Sequence, residues 1–155
     1  MESKWFKHEQ RVRYQETDQM GVVYHANYLN WFEIGRTELI REMGYPYQVV
    51  EQKGLLLPVV EAEMKFHTPA RYDDRIVIYT RIQSYTAIKV EFNSQIRRIS
   101  EDAMASDEMN MQADGDPQGE LLVSGATRHV WVNRAFRPVR LDKELPELYA
   151  LINQP

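Results

Sequence analysis

The sequence predicts an α+β domain, with one long helix near the start of the chain followed by four or five antiparallel strands. Two observations lead there. Apolar residues Leu29, Phe32, Leu39 and Met43, with Gly35 between them, recur at the three-and-four spacing of a helix face. Farther along, apolar and polar residues alternate, which is the period of a sheet with one covered face. A sheet of that extent must lay its apolar face against the helix, because an exposed one would aggregate. At 155 residues, a single domain spanning 1–155 is expected.

The elements follow in order. Residues 5–14 read as a strand, with Phe6 and Val12 supplying bulk among charges. A short polar turn holding Gly21 leads into the helix, which starts at His25. Gly44 and then Pro46 stop it, glycine just past the end and proline unable to continue. Residues 45–54 hold a short helical or irregular segment closed by Gly54. Next comes a clear strand, in which Val60, Ala62, Met64 and Phe66 alternate with Glu61, Glu63, Lys65 and His67. Residues 68–74 turn the chain, and 75–85 read as a strand with Ile76, Ile78 and Ile82 on one face. After a reversal at 84–87, residues 89–99 alternate most cleanly, with Val90, Phe92 and Ile96 inward and Lys89, Glu91, Asn93, Gln95 and Arg97 outward. Residues 121–132 form a last long strand, apolar on both faces and suited to burial on both sides. Residues 141–152 predict a C-terminal helix with Leu145, Leu148 and Ile152 on one stripe and Pro146 in its first turn.

Composition narrows the function. A net charge of −4 gives no reason to expect nucleic-acid binding. The absence of cysteine removes disulfides, a thiol nucleophile and thiolate metal sites. No apolar run approaches a membrane span, and the N-terminal residues lack an apolar signal core, so a cytoplasmic protein is the expectation. His8, His67 and His129 fall on different predicted strands at no metal-ligand spacing. Neither a Gly-rich phosphate loop nor a Gly-x-Ser-x-Gly elbow is present.

The chemistry concentrates where the first turn meets the helix. Asp18 stands in the turn, seven positions before His25 at the helix start. The first N–H groups of a helix have no intrahelical partner and carry partial positive charge. A carbonyl oxygen docked there meets donors suited to a developing oxyanion. A carboxylate in the preceding turn can attack that carbonyl or deprotonate a water that does. On spacing alone, a turn cap and an ordinary helix start are the plainer reading of the same residues, since Asp is common in turns.

The ordered stretch Tyr14-x-x-Thr17-Asp18-x-x-Gly21-Val22-Val23-Tyr24-His25-Ala26-Asn27-Tyr28, followed by Phe32-Glu33 and Arg36-Thr37-Glu38, resembles the active-site segment of the hotdog-fold acyl-CoA thioesterases. It is most similar to the 4-hydroxybenzoyl-CoA thioesterase family in its YbgC-like branch. Pro69-Ala70 ahead of Tyr72-x-Asp74 resembles that family's link into its next strand. The resemblance implies the hotdog fold, a sheet wrapped around one central helix, and hydrolysis of an acyl-CoA with no metal or redox cofactor. It implies Asp18 as the catalytic carboxylate and the backbone N–H at His25 as the oxyanion donor. It also implies a homodimer or homotetramer with active sites between subunits. Tyr24, Tyr28, Glu33 and Lys89 are the candidates for contacting substrate, although an ion pair with Arg36 is the plainer role for Glu33 and the tyrosines serve equally as core. Arg71, Arg97, Arg128 and Arg134 are further cations available to coenzyme A phosphates.

Rival readings are a hotdog hydratase, a thioesterase acting on acyl-carrier protein, and a non-catalytic acyl-thioester binder. The Asp18-to-His25 motif disfavours the first and third. One segment departs from the family pattern. Between Arg98 and Arg128 there is no Lys or Arg, while Glu101, Asp102, Asp107, Glu108, Asp114, Asp116 and Glu120 accumulate around Met104, Met109 and Met111. An acidic hairpin tip at 100–120 is the expectation, with a Met-lined lid or partner contact as the alternative.

Overall fold

A computed structural model describes residues 4–103, 112–113 and 115–154. Its strands are β1 (Trp5–Arg11), β2 (Val59–Phe66), β3 (Arg75–Tyr85), β4 (Lys89–Arg98), β5 (Gln112–Ala113) and β6 (Glu120–Val130). They form one antiparallel sheet in the order β2-β6-β4-β3-β1-β5. The helices are α1 (Ala26–Glu42), α2 (Tyr47–Gln52), α3 (Leu141–Glu144) and α4 (Pro146–Ile152).

Helix α1 lies against the sheet chiefly over β3, and Gly35 is what lets it come close. A Cβ there would stand 2.2 Å from Thr80 Oγ1 and 2.9 Å from Ile78 Cγ2. The buried positions of α1 are Tyr28, Trp31, Phe32, Gly35, Arg36 and Ile40. The stripe thus runs through Tyr28 rather than Leu29, which is 37% exposed. Phe32, Gly35 and Leu39 keep the expected spacing, and Tyr28 is the residue four positions before Phe32 on that face.

The strand expectations for 75–85 and 89–99 agree with β3 and β4. Ile76, Ile78, Val90, Phe92 and Ile96 are all buried. β3 is also covered on its other face, where Val77 and Tyr79 pack with Trp5 and Ile99. β6 is an interior strand, paired with both β2 and β4, and neighbouring residues on its two faces, Leu122 with Val123 and Ala126 with Thr127, are buried.

Three features differ from the sequence reading. Residues 14–16 form a 3-10 turn instead of the end of β1, and Tyr14 lies in the open with its ring edge-on to Tyr72. β2 is an edge strand whose alternating face is largely uncovered: Val60 is 61% and Phe66 54% exposed. Met64 of that face packs against the core, and the Phe66 ring lies against Tyr28 at its margin. The C-terminal helix is two helices broken at Leu145, because the residue before a proline is driven out of the helical region. Pro146 opens the second, and Leu141, Leu145, Leu148 and Ile152 all bury in one cluster with Trp131.

The acidic segment is fastened at its start. Arg75 Nη1 donates to the carbonyl oxygens of Ser100, Glu101 and Ala103 at 3.0, 3.3 and 2.7 Å. Arg11 grips the Glu101 carboxylate with both terminal nitrogens. β5 then pairs with Trp5 and Phe6 at the far edge of β1. Met104, Met109 and Met111 lie outside the described residues.

Candidate functional site

The turn before α1 is built on its own backbone. The Asp18 N–H donates to Val22 O at 2.9 Å, and the Gly21 N–H donates back to Asp18 O at 3.0 Å. Gly21 sits at φ +80, in the left-handed region open to glycine without strain. The Asp18 carboxylate accepts the Met20 N–H at 2.8 Å through Oδ1. One of its oxygens is thereby fixed, and the side chain is held at the surface of the turn.

Glu16 ties this turn to the helix. Its carbonyl accepts the Tyr24 N–H at 2.9 Å and Asn27 Nδ2 at 2.8 Å. Its carboxylate accepts the Trp31 indole N–H at 2.7 Å and the Arg13 N–H at 2.8 Å. On the other side, the Val23 N–H donates to Ala70 O, and the Ala70 N–H donates to the Tyr28 hydroxyl. Burial holds the Tyr28 phenol above its ordinary pKa, so it stays a neutral hydrogen-bonding group.

His25 is the cap position of α1, and no side chain caps the helix there. The N–H groups of His25 and Ala26 have no acceptor among the described residues. Beside them opens a cleft of about 220 Å³. Asp18 and Met20 reach it from the turn, and His25 and Tyr28 from the helix. The opposite wall is Phe66, His67 and Thr68 from the end of β2, with Val123 from β6. Phe66 lies with its ring 6.4 Å from that of His25 and 5.9 Å from that of Tyr28.

Of the residues singled out from sequence, Asp18, His25 and Tyr28 therefore meet at one cleft. The Tyr24 ring lies 4.6 Å from that of His25, tilted by 47°, and does not line the cleft. Glu33 is exposed on α1, close to the buried Arg36 and to the partly buried Tyr47. Lys89 is exposed at the start of β4, its backbone tied to Thr86. The structure does not bring Glu33 or Lys89 to this chain's cleft. Arg97, Arg128 and Arg134 are engaged with Gly119, with Glu61, Glu63 and Glu91, and with Glu51 respectively. Among the described residues, no group of three or more His, Asp or Glu side chains is placed to hold a metal. None of the described helices is long and apolar enough to cross a membrane.

Sequence reasoning missed Glu16, Phe66 and His67. Glu16 acts through contacts made 15 residues away, which spacing does not show. The signal for the other two was available, since they directly precede the Thr68-Pro69-Ala70 link.

A family model described as the thioesterase-like superfamily matches residues 12–148. The chain belongs to this superfamily. Its relatives include YneP of Bacillus subtilis, provisionally named an acyl-CoA thioesterase, which is 37% identical over 91% of this chain and 90% of its own length. The acyl-CoA thioester hydrolase YbgC of Escherichia coli is 33% identical over 62% of this chain and 72% of its own. Among solved structures, the DHNA-CoA thioesterase of Staphylococcus aureus superposes with a TM-score of 0.80 at 26% identity, covering 95% of this chain and 87% of that one. The fold is the hotdog fold of the thioesterase-like superfamily, as the motif implied.

Proposed function

We propose that the protein hydrolyses an acyl-CoA thioester to a carboxylic acid and free coenzyme A. The observation that carries this reading is the meeting of Asp18 with the uncapped start of α1 at a single cleft. The membership of the thioesterase-like superfamily and the names of its relatives support the same reaction class.

In this reading the thioester carbonyl docks at the start of α1, where the His25 N–H polarises it. Asp18 acts in one of two ways. As general base it takes a proton from water while the water oxygen bonds to the carbonyl carbon. As nucleophile it bonds to that carbon itself and water later releases the acid. In either case the carbon–sulfur bond breaks and the thiolate leaves, taking up a proton. The His25 imidazole stands where it can orient water or the thioester. Tyr28 borders the acyl group and Tyr24 backs the His25 ring, whereas a binding role for Glu33 or Lys89 requires the cleft of a second subunit.

The pairing follows from the uncovered edge. β2 offers an eight-residue strand with one side unpaired and its apolar residues open. Such edges are covered in natural proteins or they aggregate. A second copy joined along β2 would cover Val60 and stand next to Phe66 in the cleft. The compartment proposed for this reaction is the cytoplasm, where acyl-CoA is available.

The test is free-thiol release from short, medium, long and aromatic acyl-CoAs, with Asp18→Asn alongside. Loss of the carboxylate should lower turnover by about 10²–10⁴-fold. Folding should be unaffected, since the residue lies in a surface turn. Turnover equal to wild type in the variant would remove Asp18 from the mechanism, and a folded wild type inert on every acyl-CoA would remove the reaction.

A further inference from the structure

The cleft is walled mostly by apolar groups, among them Met20, Phe66 and Val123. His67 interrupts that wall, one residue beyond β2. It is held at two points. Its backbone N–H donates to Leu122 O at 2.8 Å, and its Nε2 lies 3.0 Å from Ser124 Oγ on β6. The other ring nitrogen, Nδ1, has no hydrogen-bond partner among the described residues. The imidazole is thus oriented by the sheet and has one nitrogen to spare.

We infer that His67, set by Ser124, is a specificity-determining residue that hydrogen-bonds an oxygen carried by the acyl group. The enzyme then takes hydroxyacyl or ketoacyl thioesters ahead of the plain hydrocarbon of the same size. This rests on the thioesterase reading of the same cleft.

The physical reason lies in what each acyl group leaves behind. His67 is exposed, so water can reach Nδ1 before a substrate enters. An all-hydrocarbon group filling the cleft displaces that water and leaves the nitrogen unpaired, which is costly in a dry site. A hydroxyl or keto oxygen replaces the lost bond. The Ser124 hydroxyl can turn either way. When it donates to Nε2, Nδ1 carries the proton and donates to a keto oxygen. When it accepts from Nε2, Nδ1 accepts from a hydroxyl. One positioned imidazole therefore reads either kind of oxygen. Sites built around a hydrogen bond reject the analogue lacking it more strongly than apolar pockets reject an added methylene.

The experiment compares kcat/KM within matched sets: β-hydroxybutanoyl-CoA and acetoacetyl-CoA against butanoyl-CoA, and hydroxybenzoyl-CoA against benzoyl-CoA. Wild type should favour an oxygenated member of at least one set by about tenfold, the order expected for one neutral hydrogen bond against an unpaired group. His67→Phe, which keeps a ring but no ring nitrogen, should bring that ratio close to one through slower turnover of the oxygenated substrate. Ser124→Ala should fall between, since it loosens the imidazole without removing it. His67→Asn, which keeps a donor and an acceptor, should retain part of the preference. If His67→Phe does not fold by circular dichroism, the ratios of the other two variants decide. Wild type that hydrolyses these substrates without preference overturns the inference and leaves the thioesterase reading standing, as does a preference that survives in the variants. Wild type that hydrolyses none of them overturns both.

Discussion

Glu16 shapes the cleft without lining it. Its carbonyl and carboxylate together hold Tyr24, Asn27, Trp31 and Arg13, so the turn carrying Asp18 is anchored to the helix whose start it faces. Asp18 and His25 were legible because an ordered motif carries them. Glu16 was not, because hydrogen bonds to residues far along the chain leave no period in the sequence. A second polar group makes a prediction at this scale. His129 is buried, with Nε2 2.8 Å from Thr127 Oγ1 and Nδ1 3.3 Å from Leu57 O. Burial, with the Arg36 charge added, pushes its imidazole down from 6.5 to about 4. Between those values the unfolded chain binds a proton that the folded chain does not. Stability therefore rises with pH across that window and is lost as pH falls from 6.5 toward 4. The full loss amounts to about 3 kcal/mol. Urea midpoints of wild type and His129→Gln, taken at neutral pH and near pH 4.5, check it. The variant should lose less stability on acidification, and equal losses in the two chains would show that His129 does not contribute.

At the scale of elements, the agreement between sequence and structure depends on what covers each face. β4 reads cleanly because it is an interior strand with the helix on one side and solvent on the other, so its alternation is its burial. β2 alternates as clearly, yet α1 meets it at Met64 and Phe66 and leaves Val60 open, and periodicity alone cannot say how far along a face the cover extends. β3 was read as one-faced because the covering of Val77 and Tyr79 comes from Trp5 and Ile99, both distant in sequence. Helix α1 was placed well, with its stripe offset by one residue at Leu29. Gly35 is the element-level feature that most constrains the fold, since α1 packs on β3 through it. Gly35→Ala gains about 0.5–1 kcal/mol of helix propensity. It forces a methyl onto the fully buried Thr80, and overpacking of that kind costs about 1–3 kcal/mol. The expected outcome is a lower urea midpoint, with partial recovery when Thr80→Ala is added to make room. A single substitution that raises the midpoint would mean the helix can lift off β3 without cost.

For the whole molecule, the strand order was out of reach of sequence reasoning. Alternation identifies strands but not neighbours, and β5 joins the sheet at the edge of β1 although it follows β4 in the chain. That crossing, with Arg75 and Arg11 gripping Ser100 to Ala103, makes the start of the acidic segment part of the sheet's outer covering. The far edge is left to β2, whose outer side pairs with none of the described residues. Among the described residues β2 pairs with β6 alone, and a register shift between Val59 and Glu61 sets Val60 apart from the ladder, 61% exposed. A lysine on an edge strand is the common natural means of keeping that edge unpaired. Val60→Lys should therefore weaken self-association without unfolding the chain, since Val60 contributes little to the core of one copy. Sedimentation across a concentration series measures this directly. Wild type should sediment as a dimer or larger and Val60→Lys should dissociate at higher concentration. Thiol release should fall along with dissociation if the cleft borrows groups from its partner. A wild type that is monomeric at every concentration would rule out pairing along β2. An assembly that survives Val60→Lys unchanged would place the contact on another surface.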